Sequence, residues 1–394
     1  MADARQSLIV RVFDTYTEAS RKMHADLSAR WTSLRFSTAL HGGFKDCVIS
    51  VPMRIVDAWQ ALRRENLRGW HFYYLEITQD QRTVWEGRIM KVGIGWSGSQ
   101  TTLQLTALGY WSSLRDQYYD AADSSNTDWT SGSGHTSDDI IKEMLADEGP
   151  DISTTVTGIT ATSRDLAGIV LTDRDYPQNI ILSKIAPLAD SDGKQYFFAV
   201  WENRTPYWTA KAVSNPVEWF VWLRNTSSGQ LIQDAQHLRN NILPVKGGTE
   251  GTEANDTSSQ ALYPKRELKV TVPTGVSSNA ENDMRDAILT ERADPVQTQS
   301  FTVSGTLYST RATQNVAGAL VEMPKWWVRA GETVRIQDLV PASDATPALD
   351  SLRTFWIRST TDTAESDTLV IQPDSPQETL GSIIARLGQV ERDR

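Results

Sequence analysis

Alternation of apolar and polar positions is clearest at 101–108. Leu103, Leu105 and Ala107 alternate there with Thr102, Gln104 and Thr106, which predicts a strand with one buried and one wet face. The stretch before it, VWEGRIMKVGIGW, reads as a partner strand, with SGS as the turn and Gly109-Tyr110-Trp111 opening a short helical tail. Gly87 interrupts the first strand and marks a bulge or a close backbone approach. Upstream, SLIVRVF, ARWTSLRFS, DCVISV and HFYYLEITQD are β-like runs with short connectors. Between the last two, Ile55, Ala58, Trp59 and Leu62 recur at helical spacing before Gly69 supplies a stop. The first block is therefore a small antiparallel β-structure carrying one helix.

The pattern then changes. A polar Ser/Gly stretch at 121–137 leads into the helix SDDIIKEMLADEGP. Pro177 opens a second helix, buried through Ile180, Ile181, Ile185 and Leu188. The segment DSDGKQYFFAVWENRTPYW reads as turn, strand, turn and strand, completing an α+β block. Residues 246–260 lack apolar periodicity and read as loop. After the strand RELKVTVP, Ser278 and Glu281 form a capping box for a helix through Met284, Ala287 and Ile288. From 299 to 372 the reading returns to β, in four runs able to close a barrel. At the end, Ser375, Pro376 and Glu378 cap a helix in which Leu380, Ile383, Leu387 and Val390 fall at 3-4-3 spacing. Two heptads hold no oligomer alone, and this seam fits an intersubunit coil and a helix docked on its own chain equally well.

Composition narrows the chemistry. The 394 residues allow two to four domains, and a formal net charge of −10 argues against wrapping nucleic acid. The one basic run, RRENLR, reads as a solvated helix face. Tryptophan outnumbers phenylalanine, 14 to 9, which fits subunit interfaces or sugar-stacking platforms. The single cysteine, Cys47, excludes an intramolecular disulfide and reads as a small buried apolar residue. No run of 18 apolar residues occurs, and the N-terminus lacks the features of a secretory signal, so a protein made in a reducing cytosol is expected.

Catalytic constellations are missing from the pattern. His24, His41, His71, His135 and His237 never pair at metal-ligand spacing, and DSDGK lacks the remaining ligands of a calcium loop. There is no nucleophile elbow, P-loop or dinucleotide fingerprint, and VKGGTEG places its lysine before the glycines. Carboxylate pairs such as Asp138/Asp139 and Asp147/Glu148 sit where helix ends ordinarily carry charge.

Several segments together resemble the tail hub or baseplate hub proteins of tailed bacteriophages, including the tail tip proteins of long-tailed, non-contractile phages. VWEGRI followed by TTLQLTALGYWSSLRD looks like that family's first barrel. ADSDGKQYFFAVWENRTPYW is similar to its second-domain hairpin, and LRTFWIRSTTDTAESDTLVIQPDSPQETLGSIIARL to its closing strands and final helix. The resemblance covers nearly the whole chain and keeps the order of parts. It implies a mainly β fold with α+β parts: two small β-barrel domains of tail-tube-like type, two smaller inserted or accessory domains, and a short C-terminal helix. The implied domains are a first barrel at 1–115, an α+β accessory domain at 116–228, a second barrel split over 229–250 and 299–372, an inserted loop and helix at 251–298, and the terminal helix at 373–394.

The implied function is structural, with no catalytic residue, cofactor or metal. The chain would form a homotrimer joining the sixfold tail tube or distal tail ring to a threefold fibre or spike, lining or closing the DNA exit channel. The tape measure protein is a further expected neighbour, without specific nucleic-acid binding or membrane insertion. Trp85, Trp96, Trp111, Leu380, Ile383, Leu387 and Val390 are the candidate interface residues, with a core role for the three tryptophans as the competing reading. Cell-wall digestion and receptor binding are expected on other proteins. Rival readings are a carbohydrate-binding tail-tip protein, a tail-associated cell-wall hydrolase, and the distal tail ring protein.

Overall fold

The computed structural model describes residues 8–14, 21–62, 69–120, 137–148, 152, 158–159, 174–186, 196–210, 218–272, 278–293, 296–304, 307–309, 320–338 and 354–373. The terminal helix with Leu380, Ile383, Leu387 and Val390, the polar linker, and the DSDGK turn lie outside them.

The first block holds seven strands: β1 (Ile9–Phe13), β2 (Met23–Asp26), β3 (Ser33–Ala39), β4 (Gly42–Pro52), β5 (Tyr74–Gln79), β6 (Arg82–Ser97) and β7 (Gln100–Leu108). They pair antiparallel in the order β2-β1-β5-β6-β7-β4-β3. The predicted alternation holds, since Leu103, Leu105 and Ala107 are fully buried and face Val51, Ile49 and Cys47 across the ladder. Trp31, Trp85, Phe36 and Phe44 fill the same core. Gly87 is a close approach rather than a bulge: a Cβ there would lie 2.3 Å from the Leu108 carbonyl oxygen. The single helix, α1 (Ile55–Leu62), lies against β6 and β7.

The second block is α+β, as expected. It comprises β8 (Tyr119–Asp120), α2 (Ser137–Glu148), β9 (Gly158–Ile159), β10 (Arg174–Asp175), α3 (Pro177–Ile180) running on as a wider turn of helix over Ile181–Ile185, β11 (Tyr196–Trp201) and β12 (Thr205–Ala210). Ile140, Ile141, Met144, Ile180, Ile181 and Ile185 pack on Phe198 and Trp208. This core is closed from the other side by Tyr110 and Leu114, which follow β7. Strand β11 runs parallel to the start of β4, with Val200 opposite Gly43.

The third core moves the expected boundaries. Strand β13 (Glu218–Trp222) belongs to it and not to the accessory block, because Trp219 and Val221 are buried among Val334, Ile336 and Ile357. Strand β14 (Thr226–Asp234) follows, and the chain then leaves the sheet. Strands β15 (Asn241–Lys246), β16 (Thr249–Glu250), β17 (Ala254–Asn255) and β18 (Glu267–Val272) make a separate small sheet under the helix Ser278–Arg292. Hence 241–250 belongs to the insert, not to the split barrel. The supposed loop at 246–260 contains two short strands and the start of the helix Thr257–Leu262. Apolar periodicity misses this helix because polar contacts hold it. Asp256 accepts from Ser259 N at 2.9 Å, and the buried Asn240 donates to Ser259 Oγ at 3.3 Å and to the Pro264 carbonyl at 3.2 Å.

The chain re-enters the third sheet with β19 (Val296–Val303), β20 (Leu307–Ser309), β21 (Val321–Met323), β22 (Thr333–Gln337), β23 (Thr354–Thr363) and β24 (Thr368–Pro373). The order is β21-β20-β13-β22-β23-β24-β19-β14. Strand β23 shares one edge between two partners: 354–356 pair with β22, and 359–363 pair with β3 of the first block. First, second and third blocks therefore form one continuous 18-stranded sheet. Among the described residues no pairing joins β2 to β3 or β14 to β21, so the pairings trace open paths and not two closed barrels.

Gly43 tests how tightly the second block is seated. Its φ is +77°, and a Cβ would stand 2.2 Å from the Val200 carbonyl oxygen, whereas Gly98, at φ +59°, has nothing within 4 Å. Gly98→Ala should cost roughly 1 kcal/mol of left-handed strain, and Gly43→Ala at least about 2 kcal/mol more from the forced separation of β4 and β11. Urea midpoints of the two variants check this, and equal losses would mean that the approach at Gly43 relaxes freely.

Candidate interaction surface

Trp85, Trp96 and Trp111 have three different environments. Trp85 is fully buried with its ring 6.4 Å from Phe44, so it is a core residue and leaves the interface set. Trp111 is half-buried, 5.0 Å from Phe198 and pressed on Gly42, so it joins the first and second blocks within one chain. Trp96 is 77% exposed near the end of β6. Burial also accounts for Trp31, Trp208 and Trp219, and the last two satisfy their indole N–H inside, on Ser137 Oγ at 2.9 Å and Glu332 Oε2 at 2.6 Å.

Helix α1 seats only part of its expected stripe: Ala58 is buried and Leu62 half-buried on the core, but Ile55 and Trp59 are not. Ala58 and Ala61 face the sheet at 0% exposure, while Ile55, Val56 and Trp59 are 54%, 61% and 51% exposed. The spacing of large apolar residues located the helix but not the side it buries. Ala61 was the missed signal: with Ala58 it marks the side of α1 that faces the sheet. Trp96 lies beside it: Val92, Ile94 and Trp96 share one face of β6 and oppose Leu105, Leu103 and Thr101 of β7. The Thr101 carbonyl in turn accepts Met53 N at 3.1 Å, just before α1.

The charged groups with unusual surroundings lie at block junctions. Arg329, from the third block, donates bidentately to Glu202 of the second, at 2.5 and 2.6 Å, and to the Thr83 carbonyl of the first at 2.9 Å. Its guanidinium centre stands 5.3 Å from the Phe44 ring and 5.1 Å from that of Trp201. Beside it, the buried Glu86 carboxylate accepts Arg204 N at 2.9 Å. Burial raises the Glu86 pKa to about 8; Arg204 N opposes the rise, and Glu76 and Glu202 add to it. Asp362, on β23, is fully buried, with neither carboxylate oxygen hydrogen-bonded. Its pKa is driven well above the ordinary range by burial, against the pull of Lys325, whose ammonium is held 2.8 Å from Asp367. Perturbed carboxyls can mark active sites, but Glu86 and Asp362 lie where sheets are joined. Among the described residues no group of three or more His, Cys, Asp and Glu could hold a metal ion, and no helix is long and apolar enough to cross a membrane. Cys47 is buried, as its sequence context predicts.

No protein-family profile matches this chain, and no curated protein matches it by sequence. Solved structures do. The 43 kDa tail protein of prophage MuSo2 from Shewanella oneidensis superposes with a TM-score of 0.59 at 12% identity, over 94% of this chain and 97% of that one. A tail protein from Neisseria meningitidis MC58 gives 0.58 at 14% identity, over 96% and 99%. Prophage tail protein gp18 from Listeria monocytogenes EGD-e gives 0.53 at 10% identity, over 98% and 99%. The chain thus has, from end to end, the fold found in these three tail proteins.

Two outcomes follow for the junctions. A carboxyl whose folded pKa exceeds its unfolded value contributes stability that is fully present below the unfolded pKa and lost as pH rises through the folded one. Glu86 should therefore cost about 1.4 kcal/mol of stability per pH unit between its ordinary value of 4.5 and about 8. Glu86→Gln should flatten that slope in chemical denaturation at stepped pH, and an unchanged slope would remove Glu86 as its source. Arg329→Met should destabilise by about 3–5 kcal/mol, since it strands a half-buried Glu202. It should also raise the susceptibility of the chain to limited proteolysis.

Proposed function

We propose that this chain is a structural protein of a phage tail, and specifically a trimeric hub. It would join the sixfold tail tube or distal tail ring to a threefold fibre or spike, and line or close the channel through which DNA leaves. The observation that carries this reading is end-to-end likeness to three prophage tail proteins, over at least 94% of this chain in each case. Two β-rich cores on one polypeptide, welded through β3 and β23, support the further step. Three such chains present six β units to a sixfold ring and a threefold face to whatever lies beyond. A formal charge of −10 suits a wall past which phosphates slide without adhering. In this arrangement the seam of Leu380, Ile383, Leu387 and Val390 connects to a central fibre or spike, and the tape measure protein is a neighbour in the lumen. The function needs no catalysis by this chain.

A second reading, carbohydrate binding at the tail tip, is favoured by one observation, the Trp96 ring exposed on a hairpin. The two readings separate in solution. Light scattering over a concentration series should give about three times 44.0 kDa, and negative-stain images of the same sample should show rings with a central hole. A strict monomer that saturates with host glycan would overturn the hub in favour of the second reading.

A further inference from the structure

We infer that the outward face of α1, with Ile55, Val56 and Trp59, together with Trp96 on the neighbouring hairpin, is the surface through which one copy of this chain meets the next. The inference rests on the hub reading and adds to it the place of contact. A helix that seats Ala58, Ala61 and Leu62 on the core yet displays Ile55, Val56 and Trp59 has an outward apolar face that the isolated chain does not cover. At the exposures given above, the four side chains present on the order of 400 Å² of apolar surface, a patch size that in soluble proteins marks contact sites. A stable interface takes roughly 800 Å² from each partner, so this patch supplies about half of one side and leaves the rest to a polar rim.

Charge identifies the occupant. From Val92 to Gly109 there is no Asp, Glu, Lys or Arg. On α1 the one ionised side chain is Asp57, which is paired with Arg54 through contacts of 2.9 and 3.3 Å. The described residues of the patch thus carry no net charge, and Arg63, Arg64 and Arg68 follow α1 in the sequence, so on a chain carrying −10 two copies that repel elsewhere approach here without that penalty. Nucleic acid and anionic lipid both need more cationic surface than the three arginines of RRENLR supply on a chain of net charge −10. A sugar would stack on Trp96, but Arg54 and Asp57, the polar side chains flanking Ile55 and Val56, are already bonded to each other. Another copy of the same acidic chain fits all of these features. In a closed threefold ring the contact is heterologous, so α1 of one chain meets a different surface of the next.

The test compares the full-length wild type with Val56→Asp/Trp59→Ser and, separately, Trp96→Ser, by light scattering over a concentration series with thermal melts alongside. All three positions are mostly solvent-exposed, so melting should hold while the dissociation constant of the oligomer rises at least about tenfold. A Val56→Cys variant supplies an independent readout, because the only native thiol, Cys47, is buried. A thiol-anchored photo-crosslinker at position 56 should then capture a peptide of this same sequence from another molecule. Variants that still form rings as tightly as the wild type would overturn this inference and leave the hub standing. A wild type that stays monomeric at every concentration would overturn both, and capture of vesicles of neutral lipid or of a glycan by the same face would name what had been mistaken for a second copy. Should the double variant fail to melt normally, Trp96→Ser and the crosslink decide the matter.

Discussion

The arrangement of the three large blocks depends on one buried cation. Arg329 is supplied by the third block, its carboxylate partner Glu202 by the second, and its carbonyl partner Thr83 by the first. The faces of Phe44 and Trp201 enclose the guanidinium between them. A planar fork fits this site in a way that an ammonium cannot, because it bridges a carboxylate with two donors, keeps a third for the carbonyl and still stacks on rings. Desolvating such a group is costly unless its charge is met, and although the buried Nε–H finds no acceptor among the described residues, both Nη groups do, so each block is held where its own partner reaches Arg329. The residues next to it repeat the theme. Ala330 N donates to Thr38 Oγ1 at 3.0 Å, and Gly331 N to the Ile357 carbonyl at 2.8 Å, so the same few residues stitch β3 and β23 together.

Strand β23 completes what Arg329 begins. By giving its first residues to β22 and its later ones to β3, it carries a hydrogen-bonded ladder from the third core into the first without a linker. A flexible tether would let the two β units sample many angles, whereas a shared strand permits only the twist of the sheet itself. Asp362 lies on this strand opposite Phe36, at 0% exposure. Burial there pushes the carboxyl pKa well above its ordinary range against the attraction of Lys325, because a dry site disfavours the charged form.

The fold was legible wherever one face of an element was buried against its own block. Leu103, Leu105 and Ala107 read correctly because alternation in sequence and burial in space are the same fact for a half-wet strand. The helix at 137–148 and the one beginning at Pro177 read correctly for the analogous reason. Failures came where a neighbour far along the chain decided the outcome. Strand β13 looked like the tail of the accessory block, yet its parallel partner is β22, more than a hundred residues later. The helix at 257–262 lacks apolar periodicity because Asp256 and Asn240 hold it by hydrogen bonds. Of the candidate site, sequence reading found Trp96 but assigned Trp85 the same role, since a tryptophan on a strand does not declare which face it shares. It also found α1 with Ala58 on its stripe, and missed that Ala61, not Ile55 or Trp59, shares the buried side.

Tryptophan surplus then has a physical explanation different from the one composition alone supplies. Three modest cores and a fourth small one must each close with limited material, and small cores bury a lower fraction of their surface than one large core would. Large rings offset that deficit. Trp31 and Trp85 fill the first core, Trp208 the second and Trp219 the third, while Trp111 and Trp201 seal the seams between blocks. Since the interior already absorbs these rings, surface aromatics cannot be dismissed as the overflow of a tryptophan-rich chain. Trp59 and Trp96 stand out from that pattern, exposed on α1 and β6, where the charges among the neighbouring described residues, Arg54 and Asp57, are paired with each other.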